Sequence, residues 1–224
     1  MSESGINLDF QRGARIGLDE AVLCAGKSHA HLAGILDRVA ERDGAILMTR
    51  LDPAAHDALP AVHRARIDYD ALSQTGFFGT VAPPTRTGRV AIVGAGTSDL
   101  RVSREAARTL AFAGERATEI HDVGVAGIWR LMERVPDIVR HPVVIAVAGM
   151  DAALISVLGG LVPGIVVGVP TSTGYGVANR GESALHAALA SCAPGVPVMN
   201  IDNGYGAACA ALRALRLIDA ENRT

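Results

Sequence analysis

The stretch GAGTSD, residues 94–99, is the segment whose composition most clearly suggests chemistry. It follows the apolar run RVAIV and precedes a helix-like stretch, LRVSREAARTLAFAGER. Glycine lets backbone N–H groups approach an anion, and the start of a helix adds about half a positive charge. The stretch matches neither common phosphate fingerprint, because no lysine follows the second glycine and Asp99 stands where GxGxxG requires its last glycine.

Four further segments of similar composition also follow apolar runs. They read DVGVAG (122–127), AGMD (148–151), PTSTGYG (170–176) and NIDNGYG (200–206). All are rich in Gly, Ser and Thr and almost free of Lys and Arg, which suits a nucleotide phosphate held by neutral donors. Tight turn geometry explains one such loop equally well, but five converging loops favour a ligand site.

The elements that must position these loops follow a regular pattern after residue 89. Apolar runs cover 89–95, 117–123, 142–148, 164–170 and 196–201, and helical stretches lie near 101–114, 125–134, 151–160, 181–191 and 206–218. Alternating apolar strands and helices predict a three-layer, doubly wound α/β domain with five parallel strands. The five loops then leave the carboxyl ends of the strands, where open α/β sheets bind ligands.

The first 80 residues differ in texture. They carry many charges and most of the histidines, with a helix predicted over 28–42 and a strand over 45–50. The Pro/Thr/Gly stretch at 81–88 is interpreted as a linker, because consecutive prolines join neither a helix nor a central strand. We therefore expect a small N-terminal α+β region (1–80), a linker (81–88) and the α/β domain (89–224).

Composition excludes several classes of function. The net charge is −2 and aromatic residues make up 4% of the chain, which argues against nucleic acid and anionic membrane as partners. Three cysteines without a CxxC pair indicate free thiols in a reducing cytoplasm. No signal peptide is recognisable, and no apolar stretch reaches the roughly 18 residues that span a bilayer. A cytoplasmic location is expected.

The motifs resemble those of the LarB family, the nicotinate adenine dinucleotide carboxylases of nickel-pincer cofactor synthesis. The resemblance rests on LDEAVLCAGKS, GAGTSDLRVSREA, DVGVAG, VAGMDAALISVLGGL, VPTSTGYG, SCAPGV and NIDNGYGA, and so covers nearly the whole chain. Residues 89–224 are also similar, more distantly, to the aminoimidazole ribonucleotide carboxylase (PurE) fold, in which a GSxSD loop binds the substrate phosphate. A flavodoxin-like, PurE-like catalytic domain is implied.

The resemblance implies a reaction in two parts. The pyridinium ring is carboxylated at C5 with CO₂ or bicarbonate, and the diphosphate is cleaved, which gives pyridinium-3,5-dicarboxylate mononucleotide and AMP. The family's nucleophile corresponds to Cys192 in SCAPG, and its base to Asp151, where the family usually has Glu. Capping of the helix expected to begin at residue 151 is an equally good explanation of Asp151.

The resemblance and the loop composition together imply a set of substrate-binding residues. Asp99 is expected to contact a ribose hydroxyl or to orient its loop, Tyr175 to stack on a ring, and Lys27 to offer a charge to the diphosphate or a carboxylate. No metal-ligand cluster is recognisable and no cofactor is expected to be tightly bound, so any Mg²⁺ would be held by the diphosphate. The full set is Gly94, Gly96, Thr97, Ser98, Asp99, Asp122, Gly124, Gly149, Thr171, Ser172, Gly174, Tyr175, Asn203 and Lys27.

The order of elements separates Cys192 from the loops. It follows a helix and precedes the predicted fifth strand, so it should lie at the amino end of the sheet. A second subunit would have to supply the thiol, and the PurE-like fold implies a homo-oligomer, an octamer. Two alternatives stay open: aminoimidazole ribonucleotide carboxylase or mutase, whose loop histidine is missing from AGMDAAL, and a non-catalytic nucleotide-binding protein.

Overall fold

The computed structural model describes residues 5–221 and divides the chain into two compact units, Met1–Pro83 and Pro84–Thr224. We call them the N-terminal unit and the C-terminal unit. The sheet of the N-terminal unit has the order β1-β2-β4-β3, with β1 parallel to β2 and the other pairs antiparallel. Its elements are α1 (Arg12–Ile16), β1 (Ala21–Leu23), α2 (His29–Ala40), β2 (Ile46–Thr49), α3 (Pro53–Asp57), α4 (Ala61–Arg64), β3 (Ile67–Asp70) and β4 (Thr75–Phe78).

Helix α2 forms the core of the N-terminal unit together with this sheet. Apolar side chains recur at helical spacing on one face of α2 and are buried: Leu32, Ile35, Leu36 and Val39. Ser28 is the N-cap of the helix: its hydroxyl accepts a hydrogen bond from the His31 N–H at 3.2 Å. The N-terminal unit is thus a small α+β structure.

The C-terminal unit is a doubly wound α/β structure. Its four strands are all parallel and lie in the order β6-β5-β7-β8. The elements are β5 (Arg86–Gly94), α5 (Leu100–Phe112), β6 (Glu115–Ile120), α6 (Ile128–Ile138), β7 (Val143–Ala148), α7 (Ala153–Leu161), β8 (Ile165–Pro170), α8 (Glu182–Leu189) and α9 (Gly204–Glu221). The predicted fold class is confirmed.

Helices cover both faces of this sheet. Helices α5 and α9 contact each other, and α9 crosses β7 and β8. On the other face, Leu131 of α6 and Leu154 of α7 form one buried cluster with Ala184 of α8 and the strands between them. Strand β7 lies between two neighbours and between both helical layers, which explains why all six of its residues are buried.

The predicted fifth strand is wrong for the residues that the structure describes. Segment 196–201 makes a single parallel bridge, between Val198 and Gly168 of β8. Two hydrogen bonds hold it, from the Gly168 N–H to the Pro197 carbonyl at 2.9 Å and from the Met199 N–H to the Gly168 carbonyl at 2.8 Å. Pro197 has no N–H to donate, so the ladder does not extend toward the amino end of β8.

Two element boundaries also differ from the sequence-based expectation. Strand β5 begins at Arg86, inside the stretch interpreted as a linker, and its pairing with β6 shifts between Thr87 and Ala91. Gly88 lies in that shift with a φ of 72°, a conformation that glycine adopts without strain. Helix α7 begins at Ala153 and not at residue 151, because Ala152 is left-handed with a φ of 52°.

A charged cluster ties the amino end of the sheet to α9. The Glu115 carboxylate, at the start of β6, is buried and contacts the guanidinium groups of Arg86 and Arg89. Arg89 also donates to Asp219 of α9. The hydrogen bond from Arg89 to Glu115 raises the pKa of the Arg89 guanidinium. The buried carboxylate of Glu115 therefore joins β5 and β6, and Arg89 extends the cluster to α9.

We expect Glu115→Gln to lower the free energy of unfolding of the C-terminal unit by about 2 kcal/mol. Removal of one member of a fully buried ion pair lowers the free energy of unfolding by more than this. The expected loss is smaller here because Arg86 and Arg89 are partly exposed and recover some hydration. Urea unfolding followed by the fluorescence of Trp129, the chain's one tryptophan, measures the change at a fixed protein concentration. The matched control is Asp137→Asn, whose partners Arg134 and Arg140 are exposed. Equal effects of both substitutions would contradict the prediction.

Candidate active site

The four loops that leave the parallel strands, and a fifth that follows the isolated bridge at Val198, gather at one edge of the C-terminal unit. We call this the loop edge and number its loops in chain order: loop 1 (94–99), loop 2 (121–127), loop 3 (149–152), loop 4 (171–181) and loop 5 (199–203). The strand order sets loops 1 and 3 in the middle, with loop 2 on one side and loops 4 and 5 on the other. The segments singled out in the sequence therefore do share one edge.

Backbone contacts fix these loops against each other. The Val123 N–H donates to the Gly94 carbonyl at 3.3 Å, and the Met150 N–H donates to the Thr173 carbonyl at 2.8 Å. A Cβ at Gly124 would lie 2.8 Å from the Ala95 carbonyl oxygen, and one at Gly149 would lie 2.5 Å from the Thr173 carbonyl oxygen. Gly124 and Gly149, expected to bind substrate, are required for this close packing of loops.

The Asp99 carboxylate is the contact that joins loops 1 and 4. The side chain is 3% exposed. One of its oxygens accepts a hydrogen bond from the Gly96 N–H at 2.9 Å, and the other accepts from the Thr171 hydroxyl at 2.6 Å. Of the two roles expected for Asp99, this geometry fits the one that orients the loop. Thr171 is equally buried and has the same positioning role.

The start of α5 offers the anion-binding feature of loop 1. Thr97 and Ser98 are exposed and begin a short 3₁₀ turn, Thr97–Asp99, that continues into α5. The first N–H groups of a helix have no acceptor within the helix, and the helix dipole adds positive potential at the same point. The N–H groups of Thr97 and Ser98 and the Ser98 hydroxyl can together hold a phosphate without a basic side chain.

Two other helix starts at this edge already hold protein side chains. The Tyr205 N–H at the start of α9 donates to the buried carboxylate of Glu105 at 3.3 Å, and the Gly206 N–H donates to the Asn203 side-chain oxygen at 2.7 Å. At the start of α7, the Ala153 N–H donates to Asp151 at 3.3 Å. Asn203 is therefore a cap of α9, and side chains of the protein itself occupy the starts of α7 and α9.

Asp202 was missed by sequence reasoning and connects loops 4 and 5 with α5. Its carboxylate accepts from the Ser172 N–H at 2.9 Å, from the Ser172 hydroxyl at 2.7 Å and from Arg101 at 2.9 Å. An Asp that follows an apolar run is a visible signal of a residue at the loop edge. Its partner Arg101, however, is 101 positions away along the chain, so the contact could not be read from the sequence. The loops contain few basic side chains, but the structure brings Arg101 of α5 and Arg130 of α6 to this edge. Arg130 contacts Asp122 at 2.7 Å.

Asp151 lies exposed in loop 3, between two left-handed residues. Met150 has a φ of 57° and Ala152 a φ of 52°. One carboxylate oxygen of Asp151 accepts from the Ala153 N–H, and the other has no protein partner within residues 5–221. The side chain thus caps the first turn of α7 and still presents one oxygen to solvent at the loop edge.

Cys192 lies at the opposite end of the sheet. The adjacent Ser191 hydroxyl contacts the Ser156 hydroxyl of α7 at 2.7 Å, and a Cβ at Gly159 would lie 2.7 Å from that of Ala193. These contacts fall on the middle and the end of α7, which runs from the loop edge back to the amino end of the sheet. Within one chain, the thiol and the loops are therefore apart.

Exposure separates the three cysteines. Cys192 is exposed, whereas Cys209 is half-buried within α9. Cys24 is buried in the N-terminal unit, and its burial raises the pKa of the thiol to about 12, so it stays protonated. Cys192 is the accessible thiol.

The remaining expected residues are placed as follows. Tyr175 is exposed in loop 4 beside Gly174, while Gly94 and Gly96 belong to loop 1. Lys27 is exposed in the turn between β1 and α2 of the N-terminal unit. In residues 5–221, no group of three or more His, Cys, Asp or Glu side chains could hold a metal ion. The helices in that range include none that is long and apolar enough to cross a membrane.

Comparisons with known proteins identify the family. Residues 4–79 match the family described as the LarB/PurE-like N-terminal domain, and residues 89–224 match the AIR carboxylase family. An uncharacterized protein of Methanocaldococcus jannaschii is 34% identical over 212 residues, which is 92% of this chain and 82% of that protein. The chain therefore belongs to the LarB family, in which a LarB-type N-terminal domain precedes a PurE-like carboxylase domain.

Proposed function

We propose that this protein carboxylates the pyridinium ring of nicotinate adenine dinucleotide at C5 and hydrolyses its diphosphate to release AMP. The observation that carries the proposal is the set of reactive groups in a carboxylase-family chain. Loop 3 offers the carboxylate of Asp151 and no histidine, and Cys192 is an exposed thiol. This set suits covalent chemistry on a ring better than proton transfer by histidine.

The ring itself dictates the need for a nucleophile. A pyridinium ring is electron-poor, so its C5 does not attack CO₂. When a thiolate adds at C4, the ring becomes a neutral dihydropyridine whose C5 is enamine-like. C5 then forms a bond to CO₂, a base removes the C5 proton, and loss of the thiolate from C4 restores the aromatic ring. Cys192 is the proposed nucleophile and Asp151 the proposed base.

The rest of the loop edge holds the substrate in this proposal. The N–H groups of Thr97 and Ser98 and the Ser98 hydroxyl bind the phosphate, while Asp99 and Asp202 fix the loops from behind. Any Mg²⁺ is held mainly by the diphosphate. Tyr175 stacks on a ring of the substrate.

The position of Cys192 favours a site completed by a second subunit. In this proposal, the protein is a homo-oligomer, an octamer, in which the thiol of one subunit serves the loop edge of another. The separation of Cys192 from loops 1 and 3 along the sheet supports this arrangement. A site completed between subunits would exist only in the assembled protein.

Aminoimidazole ribonucleotide carboxylation is the second candidate, because residues 89–224 match the AIR carboxylase family. Loop 3 lacks the histidine of the purine enzymes. His121, in loop 2, is a poor substitute: its Nδ1 is buried without a partner in the described structure, and its Nε2 lies 3.2 Å from Glu119. The first candidate is therefore preferred.

Mass spectrometry of the products tests the choice. Incubation of the protein with nicotinate adenine dinucleotide and bicarbonate should yield AMP and a second mononucleotide. The second product should be heavier than nicotinate mononucleotide by one carboxylate group. Labelled bicarbonate should transfer its carbon to the ring. Turnover of aminoimidazole ribonucleotide instead would favour the second candidate, and binding without turnover of either substrate would indicate a non-catalytic nucleotide-binding protein.

We expect Ser98→Ala to raise the dissociation constant of the dinucleotide about 10-fold, because a hydrogen bond to a charged phosphate is lost. Calorimetry at a fixed salt concentration measures this change. Ser98→Thr keeps the hydroxyl and is the matched control. Unchanged binding by Ser98→Ala would remove loop 1 from the binding site.

We expect Asp151→Asn to slow carboxylation about 100-fold or more with little change in substrate affinity, because a general base acts mainly in the transition state. Asn has almost the same shape and can still accept the Ala153 N–H, so the helix cap is kept. Asp151→Glu should retain activity. Normal turnover by Asp151→Asn would reduce Asp151 to a cap.

We expect Cys192→Ala to abolish ring carboxylation while the fold and the oligomer stay intact, because the exposed side chain contributes little to packing. Co-assembly with Asp151→Asn should restore part of the activity. In mixed oligomers, the loop edge of a Cys192→Ala subunit meets an intact thiol from an Asp151→Asn subunit.

Steady-state assays of the separate and mixed proteins, unfolded and refolded together, measure this recovery. Sites formed within one chain would give no recovery on mixing, because every site would still lack one group. Full activity of a monomer would also overturn the shared site.

A further inference from the structure

Two aromatic side chains are exposed in the described part of the C-terminal unit, and both lie at the loop edge. Trp129 is 63% exposed and Tyr175 is 82% exposed, whereas Phe112 and Tyr205 are half-buried. Tyr175 belongs to loop 4, and Trp129 is the second residue of α6, which follows loop 2. A single exposed aromatic ring needs no explanation, but two at one edge of a sheet suit a ligand that itself has two rings.

The two aromatic side chains lie on opposite sides of loop 1. In the strand order β6-β5-β7-β8, loop 2 leaves β6, loop 1 leaves its neighbour β5, and loop 4 leaves β8 at the other end. Neighbouring strands lie about 4.8 Å apart, so the exits of β6 and β8 are separated by on the order of 14 Å. An extended dinucleotide has the same order of parts, because its diphosphate lies between two nucleosides.

The Trp129 indole stands on an exposed apolar surface at the start of α6. Helical side chains tilt toward the N-terminus of their helix, so a residue in the first turn leans toward the preceding loop, here loop 2. Leu131 lies on the opposite face of α6 and is buried against the sheet. Ile128 and Met132 are neighbours of Trp129 on the helix and are also exposed. The indole is therefore available to a ligand at the loop edge.

An ion pair fixes the backbone that carries Trp129. The Asp122 carboxylate contacts the Arg130 guanidinium at 2.7 Å, and a Cβ at Gly127 would lie 2.8 Å from the Arg130 Nε. The start of loop 2 is thus tied to the first turn of α6. Asp122 is exposed, and its second carboxylate oxygen has no protein partner within residues 5–221. A carboxylate oxygen accepts hydrogen bonds from hydroxyl groups, such as those of a ribose.

We propose that Trp129 and Asp122 form an adenosine subsite, in which the indole stacks on the adenine ring and the carboxylate accepts a hydrogen bond from a ribose hydroxyl. The phosphate attached to this ribose reaches loop 1. The pyridinium ring then lies on the other side of loop 1, near Tyr175 and Asp151. This last assignment rests on the proposed function, because Asp151 is there the base that removes the C5 proton.

An interface with a second copy of the chain is the alternative use of the exposed apolar surface. The charged side chains of Arg130, Glu133 and Arg134 interrupt this surface along α6. Three apolar side chains provide much less area than the roughly 800 Å² that each partner buries in a stable protein interface. A single aromatic base needs no larger surface than this.

Fluorescence titration with AMP tests the subsite directly, because Trp129 is the chain's one tryptophan. Stacking of adenine on the indole should quench its emission in a saturable manner. Ribose 5-phosphate carries the same phosphate and ribose but no base, and it should leave the emission unchanged. Quenching by AMP should be weaker at equal concentration in Asp122→Asn, since the amide is a poorer acceptor for the ribose hydroxyl.

Calorimetry measures the contribution of the ring. Trp129→Ala should raise the dissociation constant of AMP about 10-fold, because one stacked base is lost, and Trp129→Phe should restore most of the affinity. Tyr175→Ala is the matched control: it removes the other exposed ring and should leave the affinity for AMP unchanged. In steady-state assays with nicotinate adenine dinucleotide, Trp129→Ala should raise KM and leave kcat unchanged.

An absence of quenching by AMP, together with an unchanged dissociation constant in Trp129→Ala, would overturn the proposal. So would a Trp129→Ala protein that sediments with a lower mass and binds AMP normally, because the indole would then belong to an interface. The binding experiments do not depend on the reaction. Specific quenching by AMP in a protein that fails to carboxylate nicotinate adenine dinucleotide would support the subsite and contradict the proposed function. A carboxylating enzyme whose KM does not respond to Trp129→Ala would contradict the subsite alone.

Discussion

The geometry of the loop edge depends on the buried carboxylate of Asp99. A buried charge is costly unless hydrogen bonds satisfy it, and here the Gly96 N–H and the Thr171 hydroxyl do so. These donors belong to the exits of β5 and β8, which are not neighbours, because β7 lies between them. The contact therefore crosses the exit of β7 at Gly149, where a Cβ would lie 2.6 Å from the Thr171 hydroxyl oxygen. One carboxylate thus constrains three loops.

The distribution of carboxylates also determines where an anion can bind. Glu105 and Asp151 occupy the starts of α9 and α7, and Asp202 takes the Ser172 N–H in loop 4. Each acidic group accepts from an N–H donor that the sequence analysis assigned to a ligand. At the exposed start of α5 in loop 1, by contrast, no side chain of the described residues takes the N–H groups of Thr97 and Ser98. Glycine content alone overstates the number of binding loops, because it does not reveal which N–H groups the protein itself satisfies.

The sequence predicted the fold and the position of the loops, because alternating strands and helices are local patterns and parallel strands bring their exits to one edge. The predicted LarB membership is likewise confirmed. The fifth strand was wrong because Pro197, although visible within the apolar run, lacks the N–H needed for a ladder. Contacts of Asp202 with Arg101 and of Glu105 with α9 join residues about 100 positions apart, so no local pattern could reveal them.

The separation of thiol and loops has a chemical consequence under the proposed function. A thiolate exposed at the protein surface is open to oxidation. In an assembled site, the thiolate of Cys192 would face the substrate ring of a neighbouring subunit instead of solvent. Cys192 lies in a segment held by Pro194, Pro197 and the Ser191–Ser156 contact, so its position relative to the amino end of the sheet is set by the subunit fold. Loop 4 is equally fixed by Asp99 and Asp202. The Cys192 segment of one subunit and the loop edge of another can then meet with the precision that covalent catalysis needs. Assembly thus supplies the geometry that a single chain lacks.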